Sequence, residues 1–415
     1  MGVPEKNRDR HSKIMNDISA KVNTDPGPAA CSAESSMTCD APCSAKSSAP
    51  YGPAFAPTPI EFFGNVGGAE LYVKRDDLIP VAMGGNKVRI AAEVFAEMSR
   101  RGCDAVITYG SVTSNLNRAV ALMAKDAGVK CYAIVKREKR RYSTETGAAQ
   151  ECGEFTGPGA KPGATEKFPL NYRLVLASGA QVAETDGANV RETVARVLAE
   201  SRARGETPFY IYGDETGHGN EEVLSRAYKE VYGEILTQEQ ALFDGEYHFT
   251  EIFTAVGTGS TISGLIAAAG GGAVPGMTDA GALPGMTETG AAPGAPAGGE
   301  RHITGISVAR RRDAILAAIG PEDERFTITD EYLAGGYGQT AAAGAATDPA
   351  AGPAPSSLED FCITTSLAHA MPLDPVYTGR ALFGTMEEIR KRGITGKVLF
   401  LHTGGTPLYY DMLEK

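Results

Sequence analysis

The sequence lacks the features that would place a protein in or across a membrane. It has no apolar run of about 18 residues, the length that a spanning helix needs. The N-terminal segment, MGVPEKNRDRHSKIMND, has no apolar core of the kind that a secretory signal contains. Lys6 also stands where myristoylation of Gly2 would require Ser or Thr. We therefore expect a cytoplasmic protein without a membrane partner.

The sequence also lacks an excess of positive charge, with 40 basic against 51 acidic residues, and it lacks a pattern of paired cysteines. The formal net charge is -11, and such a surface repels nucleic acid, so no nucleic-acid partner is expected. Seven cysteines in a long chain without a signal are typical of reduced thiols. Cys31, Cys39 and Cys43 match no zinc spacing and have no accompanying histidine. We therefore expect neither disulfides nor a metal.

Four segments are rich in small residues, Pro and Gly, and they cannot bury enough apolar surface to offset the entropy of ordering. They are 22–57, 143–168, 270–300 and 340–357. The first belongs to an N-terminal tail, 1–57, that we expect to be largely flexible. The other three are interpreted as surface insertions, because loop-closure entropy grows only logarithmically with length.

Between these segments the sequence alternates between strands and helices. Apolar runs at 104–108 and 130–135 flank a helical segment at 115–127, which makes one β-α-β unit. Further strands are predicted at 210–212, 251–256, 303–308 and 398–401, and further helices at 90–101, 221–235, 263–269 and 312–319. This alternation indicates an α/β fold with parallel sheets covered on both faces. Ligands in such folds bind beyond the carboxyl ends of the strands.

One Gly-rich loop lies where such a ligand would bind. Gly257-Thr258-Gly259-Ser260-Thr261 follows an apolar strand and precedes a helix. Backbone N–H groups, hydroxyls and the helix N-terminus could converge there on a phosphate. The same composition also suits a tight strand-to-helix connection, and both interpretations stay open at this point. A P-loop Gly-Lys-Ser/Thr and the acidic residue of a dinucleotide site are both absent.

A second predicted loop, 71–78, leads to Gly84-Gly85-Asn86-Lys87 and a helix expected from Ile90. Lys87 is oddly placed, because cations are disfavoured near a helix N-terminus. An imine at this side chain would weaken that objection. An exposed loop lysine is the alternative interpretation.

Seven motifs resemble those of the D-cysteine desulfhydrase and 1-aminocyclopropane-1-carboxylate deaminase family in their order and approximate spacing. They are Lys-Arg-Asp-Asp-Leu at 74–78, Gly-Gly-Asn-Lys-Val-Arg at 84–89, Gly110-x3-Ser114-Asn115, Gly-Thr-Gly-Ser-Thr at 257–261, Gly-Tyr-Gly at 336–338, Leu-Asp-Pro-Val-Tyr-Thr-Gly at 373–379 and His-Thr-Gly-Gly at 402–405. The resemblance implies a two-domain, tryptophan-synthase-β-like fold of type II that uses pyridoxal 5'-phosphate.

The resemblance also implies an arrangement of domains. The large, cofactor-binding domain would comprise 58–92 and 221–415, and the small α/β domain would comprise 93–220. The cofactor would lie between them, and the protein would be a homodimer.

Transferred to this chain, the family pattern makes Lys87 the Schiff-base lysine, with Asn86 beside it. Its amine must be neutral to attack an aldehyde, and desolvation would promote that form by lowering the pKa. The loop 257–261 would hold the phosphate. Asn115 would hydrogen-bond the cofactor's ring oxygen.

Three further residues match positions of the family that act on the substrate. Ser114 would contact the substrate carboxylate or assist proton transfer. Tyr337 and Tyr377 match two active-site tyrosines, although packing in a turn and a corner position are alternative interpretations.

Two threonines bear on the choice of substrate. Thr378 and Thr403 stand where the deaminases have Glu and Leu, and both resemble the desulfhydrases instead. One of them is expected to face the pyridine nitrogen of the cofactor, where a hydroxyl stabilises a protonated ring less than a carboxylate does. Expulsion of a β substituent would then be easier than opening a cyclopropane ring.

The third motif departs from the family. The segment 113–118 reads Thr-Ser-Asn-Leu-Asn-Arg, where Gln-Ser-Asn-His-x-Arg is typical, so the substrate itself stays open. We expect β-elimination from a small amino acid, similar to D-cysteine desulfhydrase, giving pyruvate, ammonia and sulfide or another leaving group. The alternatives are aminocyclopropane-carboxylate deamination, a lyase for cysteate or another β-substituted amino acid, β-replacement, racemisation, and an idle regulatory protein that binds the cofactor.

Overall fold

The chain divides into two compact units, Met1–Ser48 and Ala49–Lys415. A computed structural model describes residues 55–137, 168–245, 248–270, 301–333 and 356–414, all of them in the second unit. The first unit lies outside the described residues. The predicted flexible tail and the three predicted insertions also lie almost entirely outside them.

Ten strands form two sheets in the described residues. The strands are β1 Ile60–Val66, β2 Ala69–Arg75, β3 Ala105–Ser111, β4 Lys130–Lys136, β5 Gln181–Thr185, β6 Pro208–Tyr210, β7 Phe249–Val256, β8 His302–Ser307, β9 Phe326–Thr329 and β10 Gly396–His402. The larger sheet has the order β1-β2-β10-β7-β8-β9, and the smaller sheet has the order β5-β4-β3-β6. Only the β1-β2 hairpin among these pairings is antiparallel. The carboxyl ends of β2, β10 and β7 therefore lie side by side.

Ten helices cover these sheets in the described residues. They are α1 Asn86–Arg101, α2 Asn115–Asp126, α3 Leu170–Ala177, α4 Val190–Ala203, α5 Glu221–Leu242, α6 Ser260–Ala269, α7 Arg312–Ile319, α8 Leu358–His369, α9 Thr378–Arg392 and α10 Thr406–Leu413. A 3-10 turn at Asp76–Leu78 follows β2. No helix in the described ranges combines the length and the apolar character needed to traverse a bilayer.

The centre of the larger sheet is buried on both faces, as β10 illustrates. Leu399 and Leu401 belong to one core cluster, which also contains buried side chains of α1, α5 and α6. Val398 and Phe400 belong to the other cluster, together with side chains of α8 and α9. Successive side chains of a strand point to opposite faces, so a continuous apolar run is what a strand covered on both sides requires.

Helices α5 and α6 approach each other closely because Gly264 has no side chain. A Cβ at Gly264 would lie 2.2 Å from the carbonyl oxygen of Ser225 and 2.7 Å from the Cβ of Tyr228. The first residue of α6 is Ser260, within the predicted phosphate loop. This contact therefore fixes the position of the N-terminus of α6 relative to α5.

The predicted α/β fold, with parallel-rich sheets flanked by helices, is confirmed. Four predicted boundaries were wrong. The segment predicted as a loop at 71–78 is strand as far as Arg75, because its charged end obscured the strand pattern. Helix α1 begins at Asn86 and α6 at Ser260, each about one turn before its predicted start. The prediction missed these turns because they are polar and show no apolar periodicity. Strand β6 is Pro208–Tyr210, two residues before the predicted segment.

The predicted domain boundaries stay a prediction. All four strands of the smaller sheet lie between residues 105 and 210. Helix α1, however, runs without interruption through the predicted boundary between residues 92 and 93.

Replacing Gly264 by alanine tests the contact between α5 and α6. We expect Gly264→Ala to lower the free energy of unfolding by roughly 1–3 kcal/mol, because the added methyl group meets a backbone carbonyl. Gly233→Ala in α5 is the matched control, since a Cβ there meets no atom within 4 Å. This control should raise the free energy of unfolding by about 1 kcal/mol, because alanine favours helix. Urea unfolding measures both, and an equal effect of the two substitutions would contradict the close contact.

Candidate active site

Glycine-containing loops follow the three adjacent strands β2, β10 and β7, and two of these loops touch. A Cβ on Gly85 would lie 2.8 Å from the carbonyl oxygen of Thr403, and a Cβ on Gly404 would lie 2.5 Å from the Cα of Gly85. Gly85 has a φ of 95° and Gly404 a φ of 96°, a conformation that L side chains rarely adopt. The sequence Gly-Gly-Asn-Lys therefore lies directly against the loop after β10.

Asn86 joins this turn to the segments that follow β10 and β7. Its backbone N–H donates to the carbonyl oxygen of Thr403 at 3.0 Å. Its side-chain Nδ2 donates to Oγ1 of Thr261 at 3.0 Å in a buried hydrogen bond. The start of α1 is thus bonded to the loop after β10 and to the first turn of α6.

Lys87, the second residue of α1, is half-buried. Burial lowers the pKa of its ammonium group from 10.5 to about 8. No ion pair or hydrogen bond compensates this loss of hydration within the described residues. The position near a helix N-terminus also disfavours a cation, so both effects favour the neutral amine. The unusual placement of Lys87 is thus consistent with an amine that reacts in its neutral form.

A buried ion pair fixes the first turns of α1. The Nη2 and Nε atoms of Arg89 donate to the two carboxylate oxygens of Asp76 at 2.9 and 3.1 Å. Arg89 also donates to Glu234 of α5 at 3.0 Å, and Tyr228 donates to Asp76 at 2.5 Å. Because Arg89 lies two residues after Lys87, these contacts determine where the lysine side chain starts.

The rest of the Lys-Arg-Asp-Asp motif is structural too. Lys74 bonds to Glu234 and donates to Gln238 at 2.7 Å. Arg75 donates to both carboxylate oxygens of Asp77 at 2.9 Å. All four charged residues of this motif therefore bind protein groups and support the loop that precedes Lys87.

The loop after β7 has the geometry of an anion site. Gly259 has a φ of 100°, and a Cβ there would lie 2.6 Å from Ile319. The hydroxyl oxygens of Thr258 and Ser260 are 3.3 Å apart. The first N–H groups of α6 have no acceptor within the helix, so they are available to an anion. This arrangement favours the phosphate interpretation over a mere tight connection.

Tyr377 and Thr378 begin α9 beside this loop. A Cβ on Gly257 would lie 4.0 Å from Cε1 of Tyr377, so the tyrosine ring faces the anion site. The carboxylate of Asp374 accepts from the backbone N–H groups of Tyr377 at 2.7 Å and Thr378 at 3.1 Å. Burial raises the pKa of Asp374, although these donors act in the opposite direction. The predicted partner, Tyr337, lies outside the described residues.

The two predicted threonines differ in their surroundings. The Thr378 hydroxyl donates to Asp374 at 2.8 Å and accepts from the Asp374 N–H at 3.1 Å. The backbone carbonyl oxygen of Thr403 accepts from the Asn86 N–H and lies against Gly85. Thr403 is therefore the one of the pair that is next to Lys87.

Ser114 and Asn115 reach the site from the smaller sheet. Ser114 caps α2, its Oγ accepting from the Asn117 N–H at 3.1 Å. Arg118, one turn along, donates to the carbonyl oxygen of Gly84 at 3.3 Å and to Oδ1 of Asn115 at 3.4 Å. Arg118 thus links the start of α2 to the turn that carries Lys87.

Of the two departures from the family motif, Leu116 is buried and Thr113 is partly exposed. Asn117, at the variable position of that motif, is also buried. Leu116 is part of the core. In either orientation of its amide, the Asn117 side chain hydrogen-bonds the hydroxyl of Thr108 in β3 at 2.9 Å. The side chains of Leu116 and Asn117 therefore tie α2 to β3 rather than face the site.

Asp374 and Asn171 are among the supporting residues that were not predicted from the sequence. Asp374 lies inside the motif at 373–379, so its place before a helix was a usable signal. Asn171, at the start of α3, donates to Oδ1 of Asn115 at 3.0 Å and belongs to no motif. Only the folded structure reveals its contact.

These groups fit pyridoxal phosphate. Lys87 supplies an uncompensated, desolvated amine, and the 257–261 loop supplies two hydroxyls and a helix N-terminus for a phosphate. The glycines at 85 and 404 leave no Cβ between them. The Asn115 amide, whose Nδ2 has no acceptor in the described residues, adds a polar group for a ring.

Comparison with known proteins agrees with this fit. The family described as "Pyridoxal-phosphate dependent enzyme" matches residues 52–358, and the chain belongs to that family. Within it, the protein is an enzyme of the D-cysteine desulfhydrase and 1-aminocyclopropane-1-carboxylate deaminase group, with pyridoxal phosphate as cofactor.

Two relatives and one solved structure illustrate the similarity. D-cysteine desulfhydrase of Salmonella schwarzengrund is 28% identical over 86% of this chain and 93% of its own length. A Pyrococcus abyssi protein, provisionally named 1-aminocyclopropane-1-carboxylate deaminase, is 27% identical over 86% of this chain and 93% of its own length. The crystal structure of an ACC deaminase homologue covers 86% of this chain and 94% of its own, with 23% identity and a TM-score of 0.56. That structure supports the fold.

Removing the buried carboxylate tests the ion pair at the start of α1. We expect Asp76→Asn to lower the free energy of unfolding by about 3 kcal/mol, because Arg89 stays buried without its bidentate partner. Glu61→Gln is the control, since Glu61 pairs with Arg75 but is 49% exposed, and it should cost less than about 1 kcal/mol. Urea unfolding of both variants measures the difference. A change of similar size in both would show that Arg89 does not depend on Asp76.

Proposed function

We propose that this protein is a deaminating lyase that carries out β-elimination on a small amino acid, as D-cysteine desulfhydrases do. The products would be pyruvate, ammonia and sulfide or another leaving group. The observation that carries the proposal is the surroundings of Lys87. Its amine has a pKa near 8 and no compensating partner in the described residues. The preceding residue, Asn86, is bonded to Thr261 of the anion site and to Thr403, which is a threonine and not a carboxylate.

The larger sheet would hold the cofactor by its two ends. Lys87 Nζ would hold the carbonyl carbon, with loss of water, and the N–H groups and hydroxyls of 257–261 would bind the phosphate. The bond between Asn86 and Thr261 sets the spacing of these two attachment points. When bound, pyridoxal phosphate supplies a sink for the electron pair left at the substrate's α carbon.

Lys87 would also move the α proton. Once the substrate amine has replaced it, its Nζ is free, and a pKa near 8 leaves a usable fraction unprotonated at neutral pH. The Ser114 oxygen accepts the Asn117 N–H, so its own proton can be donated to the substrate carboxylate. Tyr377, against Gly257, would act near the departing substituent together with Tyr337.

A threonine at the ring nitrogen would favour elimination over ring opening. The ring nitrogen would meet the Thr403 hydroxyl, which cannot stabilise a protonated ring as a carboxylate does. Asp374 is a nearby buried carboxylate, but its oxygens already accept from backbone N–H groups and from Thr378. The resulting weaker electron sink suits a substrate whose β substituent leaves readily.

Three further features are proposed from the family pattern alone. They are a homodimer, a cytoplasmic location and the division into large and small domains.

A substrate panel tests the activity. We expect pyruvate from D-cysteine or β-chloro-D-alanine and no 2-oxobutanoate from 1-aminocyclopropane-1-carboxylate, with products identified by mass spectrometry. Lys87→Ala should abolish turnover, whereas Lys125→Ala, at an exposed position on α2, should not. Release of 2-oxobutanoate would replace the proposed activity with deamination of the cyclopropane. Cofactor binding without turnover of any amino acid would contradict an elimination enzyme.

The pH dependence of cofactor capture tests the state of Lys87. Only the neutral amine attacks an aldehyde, so capture by the cofactor-free protein should rise with pH and level off above about 8. A solvated lysine would instead keep gaining rate up to about pH 10. Capture is measured by borohydride reduction and peptide mass spectrometry, and it is normalised to the rate of a simple alkylamine. A rate still rising at pH 10, or a label on another lysine, would contradict the assignment.

A further inference from the structure

The side-chain amide of Asn115 is held by two donors on the same atom. Oδ1 accepts from Nδ2 of Asn171 at 3.0 Å and from Nη2 of Arg118 at 3.4 Å. Nδ2 of Asn115 has no acceptor within the described residues, and the side chain is partly exposed. The amide therefore presents its NH2 group to the site and keeps its oxygen towards the protein.

The orientation of Asn171 is itself determined by its neighbours. Its Nδ2 also donates to the carbonyl oxygen of Thr113 at 2.8 Å. A flipped amide would place Oδ1 of Asn171 against two acceptor oxygens. In the observed orientation its Oδ1 is buried without a partner among the described residues, so the two donated bonds decide the orientation at the cost of one unsatisfied acceptor.

The start of α3 is fixed from the other side. The Leu170 N–H donates to the Asp411 carboxylate at 2.8 and 3.0 Å. Asp411 belongs to α10, whose first residue, Thr406, directly follows the glycines after β10. Asn171 is thus held relative to the same loop that contacts the turn of Lys87.

Arg118 adds a buried charge behind Asn115. It is 1% exposed, and its Nε and Nη1 have no hydrogen-bond partner among the described residues. Burial lowers the pKa of its guanidinium to about 10, so it stays protonated at neutral pH. A positive charge at this place favours a negatively charged group next to Asn115.

We infer that Asn171 is a positioning residue that locks the Asn115 amide with its NH2 group towards the site, so that Asn115 can only donate to the cofactor's ring oxygen. The inference rests on the proposed function, in which Asn115 binds that oxygen. An unlocked amide can present either a donor or an acceptor, whereas a deprotonated ring oxygen requires a donor. Asn171 and Arg118 together remove the unfavourable choice.

Asn171→Asp tests the lock in the full-length protein loaded with pyridoxal phosphate. The carboxylate would accept rather than donate, so the Asn115 amide should turn and direct its oxygen at the ring oxygen. We expect the Kd for pyridoxal phosphate to rise about tenfold. We also expect the pH midpoint of the bound cofactor's visible absorbance to rise by about one unit, because the deprotonated ring oxygen loses its donor.

Asn220→Asp is the matched control. Asn220 is equally buried, donates from Nδ2 to the Tyr210 carbonyl oxygen at 2.9 Å and leaves Oδ1 without a partner in the described residues. It therefore reports the general effect of a buried carboxylate. Asn171→Leu, which removes the donor without adding an acceptor, is a second test variant and should give smaller shifts of the same sign.

The outcomes separate the lock from the proposed function. A raised midpoint in the Asn171 variants and an unchanged midpoint in Asn220→Asp support the lock. A wild-type Kd and midpoint in Asn171→Asp, or equal changes in Asn171→Asp and Asn220→Asp, overturn the lock alone. A wild-type protein in which borohydride traps no pyridoxyl group on Lys87 overturns the proposed function and the inference with it.

Discussion

The ion pair between Asp76 and Arg89 joins the end of β2 to the first turns of α1, and the position of Lys87 follows from it. A buried pair is tolerated only when its remaining hydrogen-bonding groups are satisfied, and here Tyr228 and Glu234 do so. Lys87 itself makes no such contact in the described residues. The fold thus positions the amine through its neighbours and leaves its Nζ atom unengaged, which is what a group that must form and break bonds requires.

The same design brings two helix N-termini together. Helix α1 begins at Asn86 and α6 at Ser260, and the hydrogen bond from Asn86 to Thr261 joins their first turns. The partial positive charge at a helix N-terminus disfavours a lysine cation and favours a phosphate anion. One electrostatic feature therefore serves both ends of the proposed cofactor site. Burial adds to the effect at Lys87, because nothing in the described structure compensates its charge.

The fold class could be predicted from the sequence, and so could candidate site residues, but the contacts that hold those residues in place could not. Apolar runs such as 104–108 and 251–256 located strands of both sheets, because burial on both faces leaves a continuous pattern. The motif at 74–77 was visible only as a family marker, since its buried partner Glu234 lies far along the chain. Asn171 could not be predicted, because its role depends on one contact with Asn115, 56 residues away. The starts of α1 and α6 were missed for a different, local reason, because their polar first turns show no apolar periodicity.

The two sheets contribute different parts of the proposed active site. The larger sheet supplies Lys87 and the anion site, whereas the smaller sheet supplies the segment 113–118, which would meet the ring oxygen and the substrate carboxylate. The chain departs from the family pattern only on the second side, at Thr113 and Leu116 of that segment. Leu116 is buried in the core, so its change is absorbed by packing. Thr113 accepts from Asn171 through its carbonyl oxygen and lies just before Ser114. Its hydroxyl shares a hydrogen bond of 3.0 Å with the Ser111 hydroxyl. Thr113 is therefore the partly exposed position at which this segment departs from the family pattern, whereas Lys87 keeps the family residue.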